Sequence, residues 1–236
     1  MIRVCVGFLF LFGLVELGSL MRVDHMEREF ARYQLQGCEI FRDIETCQYN
    51  AGNQRYFRVR EVAGNLTRYF SLTDRFVGSG AFGRVYVGRD LRSGDEIVIK
   101  KTDVGRNEVK CLHIMDMYLG GNDRYILMKR ARGVAYDDIL SGGVYKGVEL
   151  IRLHEGIIEE FKRMNKKGVR QGDPYPRHIF VDDVEGVFSV DIIDYGLCNI
   201  NPAVYDDICG LNGALRYRYY EFDDVFVAYL RKKERC

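Results

Sequence analysis

The alternation of hydrophobic and polar positions predicts a strand-rich part of the chain followed by a helix-rich part. Residues 67–80 (TRYFSLTDRFVGSG) alternate in character and end in glycines, as a strand that enters a turn does. The following AFGRVYVGRD predicts the returning strand, and EIVIKK predicts a third strand because it is rich in β-branched residues. Before these strands the pattern is weaker, and it predicts a helix from Glu27 to Leu35 and then loops up to residue 66.

Helical spacing dominates the second half of the chain. Apolar positions predict a helix over residues 107–118, which Gly120-Gly121-Asn122 would end. After a strand in RYILMKRA, the sequence VELIRLHEGIIEEFKRMNKKG has the longest helical pattern, with His154 and Glu155 expected to be solvated. VFSVDIIDYG predicts a strand that runs into a loop. Strands first and helices later favour an α+β fold with a small β-rich lobe and a helical lobe.

Composition supports a globular chain and excludes little else. The 236 residues are 47% apolar and 29% charged, which is enough for a core in one domain or in one domain of two small lobes. The formal net charge of +1 does not favour a nucleic-acid partner.

The first twenty residues differ from the rest. A single early charge at Arg3 precedes an apolar run from Val4 to Val15, and small residues follow. The run is shorter than a comfortable transmembrane span and has the form of a secretory signal peptide or signal anchor. It predicts secretion or a secretory-pathway lumen, with no membrane span once the leader is cleaved. A cytoplasmic protein that starts at Met21 or Met26 is the alternative.

Seven cysteines occur, and removal of the leader would leave six. An even number fits a disulfide-bonded domain, in which Cys38 with Cys47 and Cys198 with Cys209 are the plausible local pairs. Scattered free thiols are the alternative. The sequence contains no CxxC motif, so we do not expect a structural zinc site.

The sequence GSGAFGRV, between two predicted strands, has the form of a phosphate-binding loop. Glycines let the backbone close over phosphates, and the loop amides can point at the anion. A dinucleotide-binding turn would instead open a helix and carry an acidic residue about twenty positions later, and neither occurs here. We expect nucleotide phosphates to be bound by this loop and its flank: Gly78, Ser79, Gly80, Ala81, Phe82, Gly83 and Val85.

Lys100 ends the strand IVIK and can direct one ammonium group at the same phosphates. Such a lysine needs an anion to hold it, and Glu108, near the start of the next predicted helix, is the candidate. An ordinary surface ion pair, which would contribute little, is the alternative.

With these motifs and the later ones YILM, QGDPYPRHIFV and DYG, the chain resembles the protein kinases from about Phe76 to Asp224. The resemblance implies ATP and Mg²⁺ as cofactors and a protein hydroxyl as acceptor. It implies that Asp173 is the catalytic base, that Asp194 is the metal ligand, and that Met128 lies beside the nucleotide.

The resemblance also implies a protein-kinase-like two-lobed fold. The kinase-like domain would occupy residues 67–236, with a β-rich N-lobe to about residue 130 and a mostly helical C-lobe after it. The leader (1–20) and an N-terminal extension (21–66) would precede this domain.

Three residues of the QGDPYPRH loop depart from the family pattern. His178 replaces an Asn that binds metal, and its nitrogen suits Mn²⁺ or Zn²⁺ better than Mg²⁺. This implies a single-metal, Mn²⁺-preferring or weak enzyme, a histidine that instead hydrogen-bonds Asp173, or a pseudokinase. Gly172 replaces an Arg that in the family pairs with a phosphorylated activation loop, and residues 196–213 contain no Ser or Thr. We therefore expect no activation by Ser or Thr phosphorylation of that segment. Tyr175 replaces a Lys of the family pattern. The loop is also similar to those of aminoglycoside, choline, lipopolysaccharide-core sugar and RIO-type kinases. A sugar or another small hydroxyl compound is therefore the alternative phosphate acceptor.

The C-terminal part is short for this family. Gly213 to Glu221 resembles the family's GTxxYxxPE segment, and Asp223-Asp224-Val225-Phe226 resembles the helix that anchors the catalytic loop. A truncated C-lobe would expose apolar surface, which a protein partner or the extension could cover.

Overall fold

The computed structural model describes residues 25–64, 66–102, 106–200, 207–218 and 223–232. The leader predicted at residues 1–20 lies outside the described residues. The chain divides into two compact units, which we call the sheet unit (up to residue 104, and 119–128) and the helical unit (105–118, and from 129). Within the part of the chain that is described, no helix combines the length and apolarity needed to span a membrane.

One eight-stranded sheet makes up most of the sheet unit, in the order β1-β2-β3-β4-β5-β6-β8-β7. Its strands are β1 (Gln34–Phe41), β2 (Ile44–Ala51), β3 (Gln54–Glu61), β4 (Thr67–Gly80), β5 (Gly83–Asp90), β6 (Glu96–Lys101), β7 (Tyr118–Gly121) and β8 (Tyr125–Lys129). Strands β1 to β6 pair antiparallel with their sequence neighbours. Buried side chains of β3, β4, β6 and β8 form one core cluster: Phe57, Val59, Phe70, Ile97, Ile99, Tyr125 and Leu127.

The loops predicted between residues 36 and 66 are wrong, because β1, β2 and β3 occupy this region. In β2 the neighbours Thr46 and Cys47 are both fully buried, so both faces are covered and one of the buried residues is polar, which leaves no clean alternation in the sequence. The predicted helix is also shorter: residues 25–30 are helical, and Phe30 packs against Tyr49, Tyr56 and Tyr69. Strand β3 pairs with β4, so the predicted extension shares the sheet, while the predicted domain boundaries stay predictions.

The helical unit contains five helices and a small sheet among the residues described. The helices are α1 (Arg106–Ile114), α2 (Tyr136–Gly142), α3 (Gly147–Lys166), α4 (Asp207–Arg218) and α5 (Asp224–Lys232). The strands β9 (Val134–Ala135), β10 (Ile179–Val184) and β11 (Val187–Ile192) form a sheet in the order β11-β10-β9. Helix α3 follows the predicted period, since residues such as Leu150, Leu153, Ile157, Phe161 and Met164 are buried along one face. The predicted α+β class, with a β-rich part before a mostly helical part, is confirmed.

The helix predicted over residues 107–118 is too long. Helix α1 ends at Ile114, and Gly120 and Gly121 belong to strand β7 rather than to a helix-breaking turn. A Cβ on Gly120 would lie 2.7 Å from Val59 and 2.8 Å from Thr46 side-chain atoms. This glycine is therefore explained by close packing in the sheet and not by a turn.

The structure tests two predicted cysteine pairs and one predicted exposed histidine. Cys38 and Cys47 are disulfide-bonded as predicted, across directly paired positions of β1 and β2. The predicted pair of Cys198 with Cys209 is wrong, because Cys198 is bonded to Cys111 of α1. His154 is fully buried and not solvated. Its ring nitrogens lie 3.4 Å from the Tyr136 hydroxyl and 3.0 Å from Asn212 Oδ1, so polar partners satisfy it inside the unit.

Candidate active site

The predicted site residues fall in both units, and each set is described within its own unit. The sheet unit holds the predicted nucleotide-binding residues: Gly78, Ser79, Gly80, Ala81, Phe82, Gly83, Val85, Lys100 and Met128. The helical unit holds the remaining predicted residues: Glu108, Asp173, His178 and Asp194.

The glycine loop joins β4 to β5 and borders an open cavity of about 680 Å³. The loop closes tightly, since Ser79 pairs with Arg84 and Gly80 with Gly83. Besides the loop itself, the cavity is lined by Lys101, Thr102 and Arg124. Cationic side chains and loop amides around one cavity suit an anionic ligand such as a polyphosphate.

The three loop glycines have different physical roles. Gly83 has φ +128°, and a Cβ there would collide with the carbonyl oxygen of Lys101, so the fold itself requires glycine. At Gly78 and Gly80 a Cβ would meet no atom within 4 Å, and neither has a left-handed φ. The fold does not require these two glycines. They leave free space that fits the close approach of a bound nucleotide.

Lys100 is buried on β6, where its backbone pairs with that of Val85. Its Nζ lies 5.7 Å from the ring centroid of Phe82, so the lysine and the tip of the loop are in contact. Met128, on β8, is half-buried and follows the buried Ile126 and Leu127.

In the helical unit, the loop that carries Asp173 is held by the buried side chain of Gln171. The Gln171 Oε1 accepts a hydrogen bond from the Asp173 backbone N–H at 2.7 Å. Its Nε2 donates to the carbonyl oxygens of Ile193 and Asp194, at 3.0 and 2.8 Å. One amide side chain therefore joins the backbone of the predicted base to the backbone of the predicted metal ligand.

A second anchor is Asp207, the first residue of α4 and fully buried. Its carboxylate accepts hydrogen bonds from the backbone N–H of Gln171 at 2.9 Å and from that of Gly172 at 3.0 Å. Sequence reasoning missed both Gln171 and Asp207. For Asp207 the available signal was the pair of acidic residues Asp206 and Asp207 before an apolar stretch, at a position where a helix can begin.

Two assignments near the C-terminus are corrected. Asp223 accepts hydrogen bonds from the backbone N–H of Gly147 and of Phe226, each at 2.8 Å, so it joins the starts of α3 and α5 and does not anchor the catalytic loop. Most of the segment predicted as GTxxYxxPE-like, from Gly213 to Arg218, lies inside α4. The similarity of this segment to the family motif is therefore one of sequence only, because α4, whose Asp207 anchors the catalytic loop, already begins at residue 207.

His178 lies between the two predicted catalytic carboxylates. Its Nδ1 is 2.9 Å from the Asp173 carbonyl oxygen and 3.5 Å from Asp173 Oδ2, and its Nε2 is 3.7 Å from Asp194 Oδ2. Arg177 Nε donates to His178 Nε2 at 3.0 Å, so the neutral ring carries its proton on Nδ1 and donates it to the Asp173 carbonyl. Both ring nitrogens therefore have protein partners in this arrangement. The metal-ligand role of His178 stays a prediction.

Asp194 has the unusual φ of +57° for a residue with a side chain, which is typical of functional sites. Its Oδ1 accepts from the Gly196 N–H at 3.3 Å, and its side chain is 40% exposed. Among the described residues, no group of three or more His, Cys, Asp or Glu side chains is placed to hold a metal. The exposed Asp194 carboxylate fits Mg²⁺, which is usually held by one or two carboxylates together with substrate phosphates and water.

The surroundings of Asp173 explain two of the departures in sequence. Gly172 has φ +82°, and a Cβ there would collide with the Leu197 carbonyl oxygen, so an arginine at this position does not fit. Arg177 places Nη2 4.0 Å from Asp173 Oδ2 and its guanidinium 4.9 Å from the Tyr175 ring centroid. The loop therefore has an exposed cation next to Asp173 although Tyr175 has replaced the expected lysine.

Glu108 is buried in the first turn of α1, and Cys111 lies one turn later on the same helix. The predicted pairing of Glu108 with Lys100 stays a prediction.

Comparison with known proteins gives distant kinase relatives. No family model matches the chain. It is 23% identical over 158 residues to the MAP kinase-interacting serine/threonine-protein kinase mnk-1 of Caenorhabditis elegans (58% of this chain, 22% of that protein). It is 24% identical over 194 residues to calcium-dependent protein kinase 26 of Arabidopsis thaliana (69% and 38%). It is 22% identical over 192 residues to a probable serine/threonine-protein kinase KIN1 homolog of Encephalitozoon cuniculi (65% and 33%).

The matches span between 22% and 38% of the length of these relatives. Together with the β-rich part and the helical part that follows it, they confirm the predicted resemblance. The chain has a protein-kinase-like fold and is distantly related to the serine/threonine protein kinases.

Proposed function

We propose that this chain is an ATP-dependent phosphotransferase of the serine/threonine-protein-kinase type, which transfers the γ-phosphate of ATP to a protein hydroxyl. The observation that carries the proposal is the arrangement of Asp173 and Asp194 around His178, at 3.5 and 3.7 Å. A base and a metal-binding carboxylate held side by side are what phosphoryl transfer requires of the protein. The kinase names of the distant relatives agree with this reaction class.

Each predicted residue has a role in this reaction. Asp173 orients the acceptor hydroxyl and takes its proton. Asp194 would hold Mg²⁺ or Mn²⁺, and the metal, when bound, would neutralise phosphate charge. Lys100 and the backbone of the glycine loop bind the phosphates, and the role predicted for Glu108 from the sequence is to pair with Lys100. His178 holds Asp173 through the hydrogen bond to its carbonyl oxygen.

An ATP-consumption assay with Mg²⁺ and with Mn²⁺ tests the enzyme proposal. We expect Asp173→Ala to lower the rate by roughly 10²- to 10⁴-fold, the usual contribution of a general base, and Asp194→Ala to abolish the metal dependence. Asp138→Ala removes an exposed carboxylate from α2 and is the matched control, which should keep the wild-type rate. If the wild type is no faster than the Asp173 and Asp194 variants with either metal, the enzyme proposal fails and a non-catalytic pseudokinase is the better description.

Nucleotide binding can be tested separately through Gly80. The Gly80→Ala methyl would meet no protein atom, so the variant should keep its melting temperature and bind ATP more weakly. Gly156→Ala on α3 also places a methyl in open space and controls for the added group. Equal ATP affinity of Gly80→Ala and wild type would contradict the assignment of this loop to the phosphates.

A small hydroxyl acceptor is the second candidate, and the short link before α4 favours it. Only residues 198–206 connect the turn at Tyr195–Leu197 to α4, so little chain is available to pair with an extended peptide. Transfer of labelled phosphate to protein acceptors supports the protein-kinase proposal, and transfer only to sugars or amino alcohols supports the alternative.

A further inference from the structure

The disulfide between Cys111 and Cys198 joins two segments that carry proposed functional carboxylates. Cys111 lies on α1, three residues after Glu108, and Cys198 lies four residues after Asp194. The two cysteines are 87 residues apart in sequence, and both are buried. The bond therefore connects the helix of the proposed lysine partner to the segment of the proposed metal ligand.

The contacts of Cys198 place it at a junction of three parts of the helical unit. Its Sγ lies 3.3 Å from the carbonyl oxygen of Asn107, in the same turn of α1 as Glu108. Its backbone N–H donates to Tyr195 and closes the turn that follows Asp194. The next residue, Asn199, exchanges two backbone hydrogen bonds with Arg170 at the entry of the catalytic loop. A bond at this junction restrains α1, the Asp194 turn and the Asp173 loop together.

We propose that the Cys111–Cys198 disulfide is a redox-controlled lock on the site described under the proposed function, on which this inference rests. In the oxidised protein the bond holds α1 and the Asp194 turn in the positions that phosphoryl transfer needs. Helix α1 has nine residues, and helices this short depend on their tertiary contacts. In the reduced protein the covalent restraint is lost, so α1 and the Asp194 turn move more freely and the rate falls.

The redox step is a thiol–disulfide exchange with a dithiol reductant. One thiolate of the dithiol attacks Cys198 Sγ, the S–S bond breaks, and Cys111 leaves as a thiolate that takes up a proton. The second thiol of the reductant then displaces Cys198, which also ends as a thiol. Two electrons and two protons pass to the protein, and the reductant becomes a cyclic disulfide. Attack at Cys198 is favoured because Cys111 is 0% exposed on a helix, whereas Cys198 is 6% exposed and lies beside the exposed Leu197, so a smaller opening uncovers it.

The test compares phosphate transfer by the full chain before and after treatment with a dithiol, with the disulfides mapped by mass spectrometry in both states. We expect the reduced wild type to be slower by roughly ten- to a hundred-fold, because small displacements of reacting groups cost rates of this order. Since Cys209 is also disulfide-bonded, the double variant Cys111→Ser/Cys198→Ser identifies the bond. It should have the low rate both with and without the dithiol.

The matched control is Cys38→Ser/Cys47→Ser, which removes the disulfide of the sheet unit. It should keep both the high oxidised rate and the sensitivity to the dithiol. A second readout does not depend on activity: hydrogen exchange at residues 106–114 and 194–199 should accelerate together on reduction.

Each outcome decides one of the two proposals. Free thiols at Cys111 and Cys198 in protein purified without reductant, or unchanged exchange in both segments on reduction, would overturn the lock. An unchanged rate with accelerated exchange would also overturn it, since the bond would then support stability alone. If the oxidised wild type transfers no phosphate but both segments respond to reduction, the proposed function fails and the conformational restraint stands.

Discussion

Replacement of Asp207 by Asn perturbs the anchor of the catalytic loop with almost no change in shape. The Asp207 carboxylate is fully buried and accepts the backbone N–H groups of Gln171 and Gly172, one on each oxygen. Asparagine keeps one acceptor oxygen and puts an NH₂ group where the other was. One backbone N–H then faces a donor instead of an acceptor.

The expected loss of folding stability follows from these two hydrogen bonds. A hydrogen bond to a charged group contributes about 1.5–3 kcal/mol, and a buried donor left without an acceptor costs about 1–3 kcal/mol. We therefore expect Asp207→Asn to lower the free energy of unfolding by about 3–5 kcal/mol, a large share of the roughly 5–15 kcal/mol typical of a domain. Because the same loop positions Asp173, the transfer rate should fall by on the order of 100-fold even where the variant is folded.

Urea unfolding followed by circular dichroism measures the first effect, and phosphate transfer at a temperature where the variant is folded measures the second. The control is Asp224→Asn, an exposed carboxylate in the first turn of α5, which should change stability by less than about 0.5 kcal/mol. Wild-type stability and rate in Asp207→Asn would refute the reasoning. A larger loss of rate in Asp224→Asn than in Asp207→Asn would also refute it, because it would indicate that α5 and not Asp207 holds the catalytic loop.

Three other predictions concern stability. Gly83→Ala should destabilise the sheet unit by at least about 1–3 kcal/mol, because its left-handed φ and the nearby Lys101 carbonyl leave no room for a methyl, and a lower melting temperature checks this. The hydrogen bond from the Gly147 backbone, and after it that from Phe226, holds the pKa of Asp223 below its ordinary value of 3.8. The stabilisation is therefore present above that value and lost as the pH falls through the lower folded pKa, so the difference in unfolding free energy between wild type and Asp223→Asn should shrink on acidification. His154→Ala should cost about 2–4 kcal/mol in urea unfolding through the lost packing and hydrogen bonds of a fully buried ring, whereas a solvated His154 would cost almost nothing.

The glycine loop and α3 illustrate what local sequence can predict. The loop is a turn between two strands, so its residues lie close together whatever the rest of the chain does. Helix α3 has a buried face at regular spacing, and this spacing is visible without knowledge of its neighbours. The same local logic identified Asp173 and Asp194 as candidates, since each belongs to a short motif.

By itself, the sequence determined the α+β class, the kinase-like order of motifs and the candidate residues in each motif, because these depend on neighbours along the chain. Only the tertiary structure decided which residues act across long separations. Asp207 rather than Asp223 binds the catalytic loop, and Cys198 is bonded to Cys111 rather than to Cys209. An acidic side chain or a thiol looks the same in sequence whatever its partner. The choice is made by the packing that buries one candidate beside the loop amides and places α1 beside the Asp194 turn.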